Sequence, residues 1–384
     1  MHSNGSTAPA TSAADTLVIG GGIMGLTTAI ALAERGYSVS VVDPGRRQGI
    51  GSWSGGGILS PLYPWRYDPS VNELARRSQQ GYPELCRQLR ERAGVDPELR
   101  NMGMVYADLP SRAPVDHDRS REWAREEGVE FQELDGDELL EAEPELTPLA
   151  EGALRLPTTA WVRNPRVMRG LVRLAQLSGV ALHDGVTILG LRTEGDRVRG
   201  VYTDSGEWDA EQVVVAAGPW SGPLLERIGV NLPVRPVKGT MLLLQANRQV
   251  LDQVVMAGDH YLIPRADNRI LVGSTMEDAG FDTRTSLGSV RALSQAAVEI
   301  VPATANMELE TYWSGLRPGS PDDRPFIGPV TGIDGLYVNS GHFRNGVVHA
   351  PASAELIAAL MAGEETPVDP APFAPDRGVE RAAF

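Results

Sequence analysis

Three glycines near the N-terminus, Gly20, Gly22 and Gly25, have the spacing G-x-G-x-x-G. They follow the apolar run 17–19 and open a stretch rich in Ala and Leu that we expect to be a helix over 23–35. In this setting the first glycine allows a tight turn, the second lets backbone approach a pyrophosphate, and the third lets helix and strand pack closely. N–H groups at the helix N-terminus would face the phosphates. The spacing therefore favours dinucleotide binding.

An acid, Asp43, ends the second apolar run, residues 39–43, and lies 18 positions after Gly25. A carboxylate at this place accepts hydrogen bonds from a ribose 2′-OH and disfavours a 2′-phosphate, so FAD or NAD is favoured over NADP. The alternative interpretation is a strand–helix–strand turn that binds nothing. Because both strands and the acid are in their required places, we favour the dinucleotide.

Three further segments could approach the same ligand. Residues 51–61 interleave glycine and serine, which suits N–H and hydroxyl contacts with a large ligand; a flexible surface loop is the alternative. A buried run, residues 212–217, ends at Gly218. The C-terminal segment 335–346 passes through a glycine turn into a predicted helix, whose N-terminus could offer N–H groups to an anionic point.

Composition sets broad limits. The 384 residues are 42% hydrophobic and 22% charged, which is typical of a globular chain with two or three domains. A formal charge of −15 argues against nucleic acid or an anionic membrane surface as a partner. Cys86 is the only cysteine, so no disulfide forms within the chain, and no Cys/His cluster indicates a metal.

The N-terminal segment, residues 1–14, is small and polar and lacks the basic and apolar regions of a signal peptide. We expect it to be a disordered tail. No apolar run approaches the roughly 20 residues that span a bilayer. With a single cysteine the chain suits a reducing compartment, so the sequence predicts a cytoplasmic protein without a membrane span.

Two patterns of secondary structure share the chain. Apolar runs followed by helices indicate a parallel sheet, whereas residues 230–245, 261–264 and 269–275 alternate with turns and suit an antiparallel sheet. The helices are predicted over 69–93, 164–177, 287–300 and 347–361. Because the segments that suit the dinucleotide lie far apart, its domain is expected to be discontinuous.

These segments resemble the D-amino acid oxidase family of FAD-dependent oxidoreductases, most closely its glycine oxidase branch of thiamine biosynthesis. The matching stretches occur in the family's order over almost the whole chain. They are Gly20 to Gly25 with Asp43, Ser52 to Pro61, Val213 to Ser221, Tyr261 to Met276, Gly315 to Pro318 and Gly341 to Gly346. The resemblance implies an α/β fold, in which a Rossmann-like FAD-binding domain of D-amino acid oxidase type is interleaved with a substrate domain built on an antiparallel β-sheet.

The implied domain division is a FAD-binding domain of residues 15–80, 150–225 and 313–384 and a substrate domain of residues 81–149 and 226–312. Two features bear on the cofactor. The family's FAD acid is most often Glu, and Asp43 is a shorter version of it. No cysteine lies near the C-terminal motif, so a covalent flavin is not expected.

In the glycine oxidase branch, a tyrosine and two arginines hold the substrate carboxylate, and a methionine lines a small pocket. The matching positions, expected to be catalytic, are Tyr261, Arg317, Arg344 and Met276. A planar guanidinium matches a carboxylate bidentately. Arg317 could instead be a surface arginine, Arg344 could serve the carboxylate or the flavin, and a strand tyrosine such as Tyr261 often belongs to a core.

The resemblance and the glycine motifs together give the expected contacts with FAD. They are Gly20, Gly22, Ile23, Met24, Gly25, Asp43, Ser52, Ser54, Gly56, Gly57, Ala217, Gly218, Gly315, Arg317, His342, Phe343, Arg344, Asn345 and Gly346. FAD is expected to bind non-covalently, and no metal is expected.

The activity implied by the resemblance is oxidation of glycine and other small amines or D-amino acids to imine and 2-oxo acid, with ammonia and hydrogen peroxide, using molecular oxygen. Its product would supply thiamine biosynthesis, and a homo-oligomer is one expected state. Two alternatives stay open. One is a D-amino acid dehydrogenase that passes electrons to a quinone or carrier, and the other is a non-catalytic flavin-binding partner.

Overall fold

A computed structural model describes residues 14–45 and 51–379. Of the expected tail, residues 1–13 lie outside this range, and Ala14 is buried. The strands are β1 (Thr16–Ile19), β2 (Val39–Asp43), β3 (Arg100–Asn101), β4 (Met104–Asp108), β5 (Gln132–Asp135), β6 (Gly152–Leu156), β7 (Ala160–Trp161), β8 (Ala181–Asp184), β9 (Ile188–Glu194), β10 (Arg197–Thr203), β11 (Gly206–Asp209), β12 (Gln212–Val215), β13 (Arg235–Gln245), β14 (Val254–Ala257), β15 (His260–Pro264), β16 (Arg269–Gly273), β17 (Glu308–Gly319), β18 (Phe326–Pro329) and β19 (Leu336–Ser340). The helices are α1 (Ile23–Glu34), α2 (Gly51–Ser54), α3 (Pro69–Glu91), α4 (His117–Glu127), α5 (Gly136–Ala142), α6 (Asn164–Leu177), α7 (Ser221–Glu226), α8 (Leu287–Ile300) and α9 (Gly346–Ala362).

A six-stranded sheet in the order β18-β19-β12-β1-β2-β8 carries the glycine motif. Its strands are parallel except β18, which runs antiparallel to β19. Every residue of β1 and β2 is buried, because α1, α3, α6 and α9 cover one face of the sheet and β9–β11 cover the other. Burial on both faces explains why these strands appear in the sequence as continuous apolar runs.

An eight-stranded sheet in the order β17-β13-β16-β15-β14-β4-β6-β5 forms the second layer. Its pairs are antiparallel apart from β14 with β4. Helix α8 packs on one face, and the other face is rich in aromatic residues and methionine. The predicted combination of a nucleotide-binding α/β layer and an antiparallel sheet is confirmed.

Several element limits agree with the sequence patterns. Helices α6 and α8 have the predicted bounds, and α8 begins after Ser286, whose side chain accepts a hydrogen bond from the N–H of Ser289. The strand predicted at 230–245 is β13, an eleven-residue strand from Arg235 to Gln245. None of the helices in the described ranges is long and apolar enough to cross a membrane.

The expected domain division stays a prediction. Two of its limits fall inside a helix or strand, and a third falls just before a strand. Position 80 falls inside α3, whose buried residues Leu74 and Leu89 share a core with α1 and α9. Position 150 precedes β6, a strand of the eight-stranded sheet, and position 313 falls inside β17.

Candidate active site

The turn between β1 and α1 is closely packed against its surroundings. Gly20 has φ +112°, and a Cβ there would lie 2.5 Å from the carbonyl oxygen of Ala216 at the end of β12. A Cβ at Gly25 would overlap the carbonyl oxygen of Gly20. Any side chain at these two places would separate the turn from its sheet or from its helix, so both glycines are required by shape.

Asp43 is buried and binds the backbone of the turn. Its Oδ2 accepts a hydrogen bond of 2.6 Å from the N–H of Gly21, and its Oδ1 accepts one of 2.7 Å from the N–H of Gly45. A carboxylate has about four lone-pair sites, so these bonds leave it acceptor capacity for a ribose hydroxyl. The side chain therefore orders the turn as well as lining the cavity beside it.

The serine–glycine segment is held from several sides. The Ser52 Oγ accepts a hydrogen bond of 2.9 Å from the N–H of Ile23 at the start of α1. The Trp313 Nε1 donates to the carbonyl of Ser54, and a buried guanidinium, Arg265, donates to the carbonyl of Gly56 over 2.8 Å. Residues from α1 and from the eight-stranded sheet and its connections thus hold the segment against the cavity, which argues against a free surface loop.

A cavity of about 900 Å³ runs from the glycine turn to the face of the eight-stranded sheet. This volume is at the upper end of the range for ligand sites. The expected site residues that line it are Gly20, Gly22, Ile23, Met24, Asp43, Ser52, Ser54, Gly56, Ala217, Gly218, Tyr261, Gly315, Arg317, His342, Phe343, Arg344 and Gly346. The structure therefore brings most of the expected cofactor and substrate residues to one continuous space.

Four expected residues lie outside the wall of this cavity. Gly25 packs helix against strand, Gly57 turns the chain with φ +84° beside the carbonyl of Val162, and Asn345 is buried at the start of α9. Met276 is 53% exposed and lines an adjoining outer cavity of about 470 Å³, which shares Leu62, Phe343 and Arg344 with the first. Its assignment to the substrate pocket stays a prediction, which the exposed position does not favour.

The inner wall of the cavity is one face of the eight-stranded sheet. Strand register places Met241 opposite Gly273 on one side and opposite Trp313 on the other. Gly273 in turn pairs with Tyr261, and the Tyr261 hydroxyl lies 3.5 Å from the Met241 sulfur. Met241 and Tyr261 are 2% and 5% exposed, so they form a fixed edge of the cavity.

Arg317 extends from β17 across this face. Its Nη1 donates to the carbonyl oxygen of Thr275 over 3.2 Å, and its Nη2 donates to the Ser274 Oγ over 2.7 Å. Burial lowers the pKa of the guanidinium below its ordinary value; the nearby phenol of Tyr261 opposes that shift, and the charge of Arg344 adds to it. Arginine keeps its proton in proteins, so the group stays a cation whose burial is costly.

Arg344 lies in the 3₁₀ turn Phe343–Asn345 that precedes α9. Its Nη2 is buried and has no hydrogen-bond partner in the described parts of the chain. Neither Arg344 nor Arg317 forms an ion pair with an acid across residues 14–45 and 51–379. Two half-buried cations that form no ion pair with an acid in the described residues make a site that an anion would stabilise.

His342 also lines the cavity but carries no charge. Burial holds the pKa of its imidazole well below the ordinary value, and the neighbouring His349 acts in the same direction. The Nε2 atom lies 3.0 Å from the hydroxyl of Ser353 on α9. No cluster of His, Cys, Asp or Glu that could hold a metal occurs among the residues that the structure describes.

Sequence reasoning did not single out Met241, Ser274 or Trp313, although all three line the cavity. The only sequence signal for Met241 is its place in a strand whose alternate residues face one side. That alternation does not say which face carries the site. Only the pairing of β13 with β16 and β17 decides it.

Residues 15–360 match the family described as FAD dependent oxidoreductase, DAO. The chain belongs to this family. The resemblance drawn from the glycine and arginine motifs is thereby confirmed, and so is FAD as the cofactor. The cavity fits this group, because its glycines admit backbone contact with phosphates and the same continuous space is lined by the two arginines.

Relatives of this DAO-family chain match almost its whole length. A glycine oxidase of Pseudomonas aeruginosa is 44% identical over 360 residues, which cover 94% of this chain and 98% of that protein. The hydrogen cyanide synthase subunit HcnC of the same organism is 32% identical, over 94% of this chain and 95% of the relative. The crystal structure of glycine oxidase from Geobacillus kaustophilus has a TM-score of 0.91 at 30% identity, with 96% of this chain and 99% of that chain covered.

Proposed function

We propose that this DAO-family enzyme oxidises glycine and other small amines or D-amino acids at FAD, giving an imine and then a 2-oxo acid, ammonia and hydrogen peroxide. The observation that carries the proposal is the pair of guanidinium groups, Arg317 and Arg344, neither of which forms an ion pair with an acid in the described residues. Both line the cavity that the nucleotide turn also lines. The glycine oxidase name of the 44% identical relative supports the same substrate.

The reaction divides into a task for the cofactor and tasks for the protein. Bound FAD would supply the acceptor for the hydride that leaves the substrate Cα. The Arg317 guanidinium can hold the substrate carboxylate through two parallel hydrogen bonds, which fixes the direction of Cα. Tyr261 and Met241 border the space around it, and neutral His342 adds no further charge. Water then hydrolyses the released imine to the 2-oxo acid and ammonia.

Anaerobic mixing of the purified holoenzyme with a panel of amino acids tests this proposal. The protein should show the absorbance of oxidised flavin, and glycine should bleach it in the absence of oxygen. Protein that purifies without flavin absorbance would end the proposal. Bound FAD that no amino acid in the panel bleaches would support the alternative of a non-catalytic flavin-binding partner.

The electron acceptor is a separate question, for which the same holoenzyme is used. We propose that the reduced flavin passes its electrons to molecular oxygen. The second candidate acceptor is a quinone or carrier, which would make the enzyme a dehydrogenase. A relative at 32% identity is named as a subunit of hydrogen cyanide synthase and not as an oxidase, so family membership alone does not specify the electron acceptor. Reoxidation of the reduced enzyme in air that is slow compared with its reduction by glycine would favour the dehydrogenase.

Three broader expectations accompany this proposal. Supply of thiamine biosynthesis rests on the resemblance to the glycine oxidase branch, and a cytoplasmic location rests on composition. Assembly into homo-oligomers is a further prediction, which size-exclusion chromatography with light scattering tests directly.

Substrate size should depend on Met241. Glycine, sarcosine and D-alanine are expected to react faster than bulky D-amino acids, because Met241 and Tyr261 are fixed at the cavity edge. One methylene in such a pocket is worth about 10- to 200-fold in kcat/KM. In Met241→Ala, the ratio of kcat/KM for D-2-aminobutyrate to that for glycine should rise by about tenfold or more.

The matched control for this change is Met276→Ala, which removes the same side chain from the exposed outer cavity. It should leave the ratio nearly unchanged. A larger change in Met276→Ala than in Met241→Ala would instead support the assignment from the resemblance. Wild-type turnover of D-phenylalanine that exceeds that of glycine would contradict the size limit itself.

A further inference from the structure

The guanidinium of Arg317 rests directly on the backbone of a neighbouring strand. A Cβ built at Gly239 would lie less than 3.0 Å from Cζ and from both Nη atoms of Arg317, a separation that real Cβ atoms essentially never show. Gly239 itself lines the cofactor cavity. The absence of a side chain at this one position therefore creates the space in which the charged group lies.

Strand register explains how the two residues meet. In the antiparallel pair β13–β17, Arg317 is opposite Val237, and Gly239 is opposite Gly315. Arg317 and Gly239 are thus diagonal neighbours on one face of the sheet, which is within reach of a long side chain. Ser274 and Thr275 lie in the segment that directly follows β16. The Ser274 Oγ and the Thr275 carbonyl oxygen accept hydrogen bonds from the two Nη atoms of Arg317.

We propose that Gly239 is a positioning residue that sets the location of the Arg317 guanidinium and so the binding of the substrate carboxylate. The inference rests on the proposed function, in which Arg317 receives that carboxylate. Gly315, directly across the strand pair, has a different neighbour: a Cβ there would lie 2.6 Å from the Oγ of Ser54, on the cofactor side. The two adjacent glycines thus make room for different parts of the site.

The cost of a side chain at Gly239 falls on Arg317 and not on the fold. Gly239 lies in an extended strand without the left-handed backbone conformation that only glycine adopts easily. The atoms that a Cβ at Gly239 would overlap are the far end of the flexible Arg317 side chain, which can move aside. Backbone atoms in the same place could not move without disturbing the strands. A methyl group at Gly239 should therefore leave the strands paired and displace the guanidinium from Ser274 and Thr275.

Gly239→Ala holoenzyme tests the inference with acetate, a carboxylate without an amine. Acetate binding is measured from the change in flavin absorbance, and turnover is measured with glycine. We expect the acetate dissociation constant to rise and kcat/KM for glycine to fall, each by about tenfold to 100-fold, since an error of 1 Å in position can cost that much. FAD content and melting temperature should stay close to wild type.

The matched control is Gly190→Ala in β9, where a Cβ would come no closer than 3.7 Å to the Tyr202 ring. It should bind acetate as the wild type does. Gly315→Ala should give the opposite split, with lower FAD content and a smaller change in acetate affinity per bound flavin. Unchanged acetate affinity in Gly239→Ala, or failure of that variant to fold with FAD, would overturn the inference.

Two more variants separate positioning from general damage. Ser274→Ala removes the 2.7 Å bond to Nη2 without any overlap and should weaken acetate binding in the same direction, but less. Arg317→Lys should cost much less in the Gly239→Ala background than in wild type, because the guanidinium geometry is already lost there. Additive losses would contradict the inference. If the wild type binds acetate but glycine never bleaches its flavin, the proposed function fails, and the acetate ratio still decides the role of Gly239.

Discussion

Arg317→Met is expected to lower kcat/KM for glycine by about 30- to 5,000-fold. An amino acid carboxylate that leaves water for this buried face must meet a fixed cation, or its desolvation is uncompensated. Removing one partner of such a buried charge pair costs about 2–5 kcal/mol, and each 1.36 kcal/mol is about a factor of ten in rate. Methionine keeps most of the length of the side chain, so the change removes the charge and the donors with little loss of volume.

The substrate series in this experiment separates an anchor from a structural residue. Flavin content should hardly change, and amines without a carboxylate should lose much less, since they never use the contact. Arg197→Met is the matched control, because Arg197 is an exposed arginine of β10 in a surface ion pair with Asp334. If Arg317→Met loses FAD, or slows carboxylate-free amines as much as glycine, then the residue holds the structure or the cofactor and the assignment is wrong.

Gly25→Ala is expected to raise the dissociation constant of FAD by more than about tenfold, which is about 1.4 kcal/mol or more of binding free energy, and so to lower the FAD content of the purified protein. The added methyl overlaps the carbonyl oxygen of Gly20, which belongs to the backbone of the turn and cannot rotate away. Helix α1 and the turn must therefore separate. The N–H groups of Gly22 and its neighbours then no longer converge on the phosphates of the cofactor.

Flavin absorbance per protein and titration of the apoprotein with FAD measure this effect. Gly288→Ala is the control, because Gly288 is also in the first turn of a helix, and a Cβ there would come no closer than 3.7 Å to the Ser286 Oγ. That change should be neutral or slightly stabilising, since alanine favours helix by up to about 1 kcal/mol over glycine. Full FAD occupancy in Gly25→Ala would show that the turn tolerates separation from its helix.

The nucleotide-binding turn and the elements on either side of it are largely determined by the sequence alone. Its strand, turn, helix, strand and acid are contiguous from Thr16 to Asp43, so spacing specifies both the local fold and the ligand class. Helix limits such as those of α6 and α8 are likewise local, because the apolar periodicity and the capping residue lie within the segment. The arginine at 317 could be singled out only through its motif and the resemblance.

The arrangement around that arginine was decided by tertiary structure. Gly239 and Arg317 are 78 positions apart, and Met241 meets Tyr261 only because β15 and β13 both pair with β16. Met276, which the resemblance places in the pocket, is 53% exposed and lines the outer cavity, and its role stays a prediction. Alternation along one strand gives two possible faces, and the choice between them, like the identity of each cross-strand neighbour, depends on register between strands that are distant in the chain.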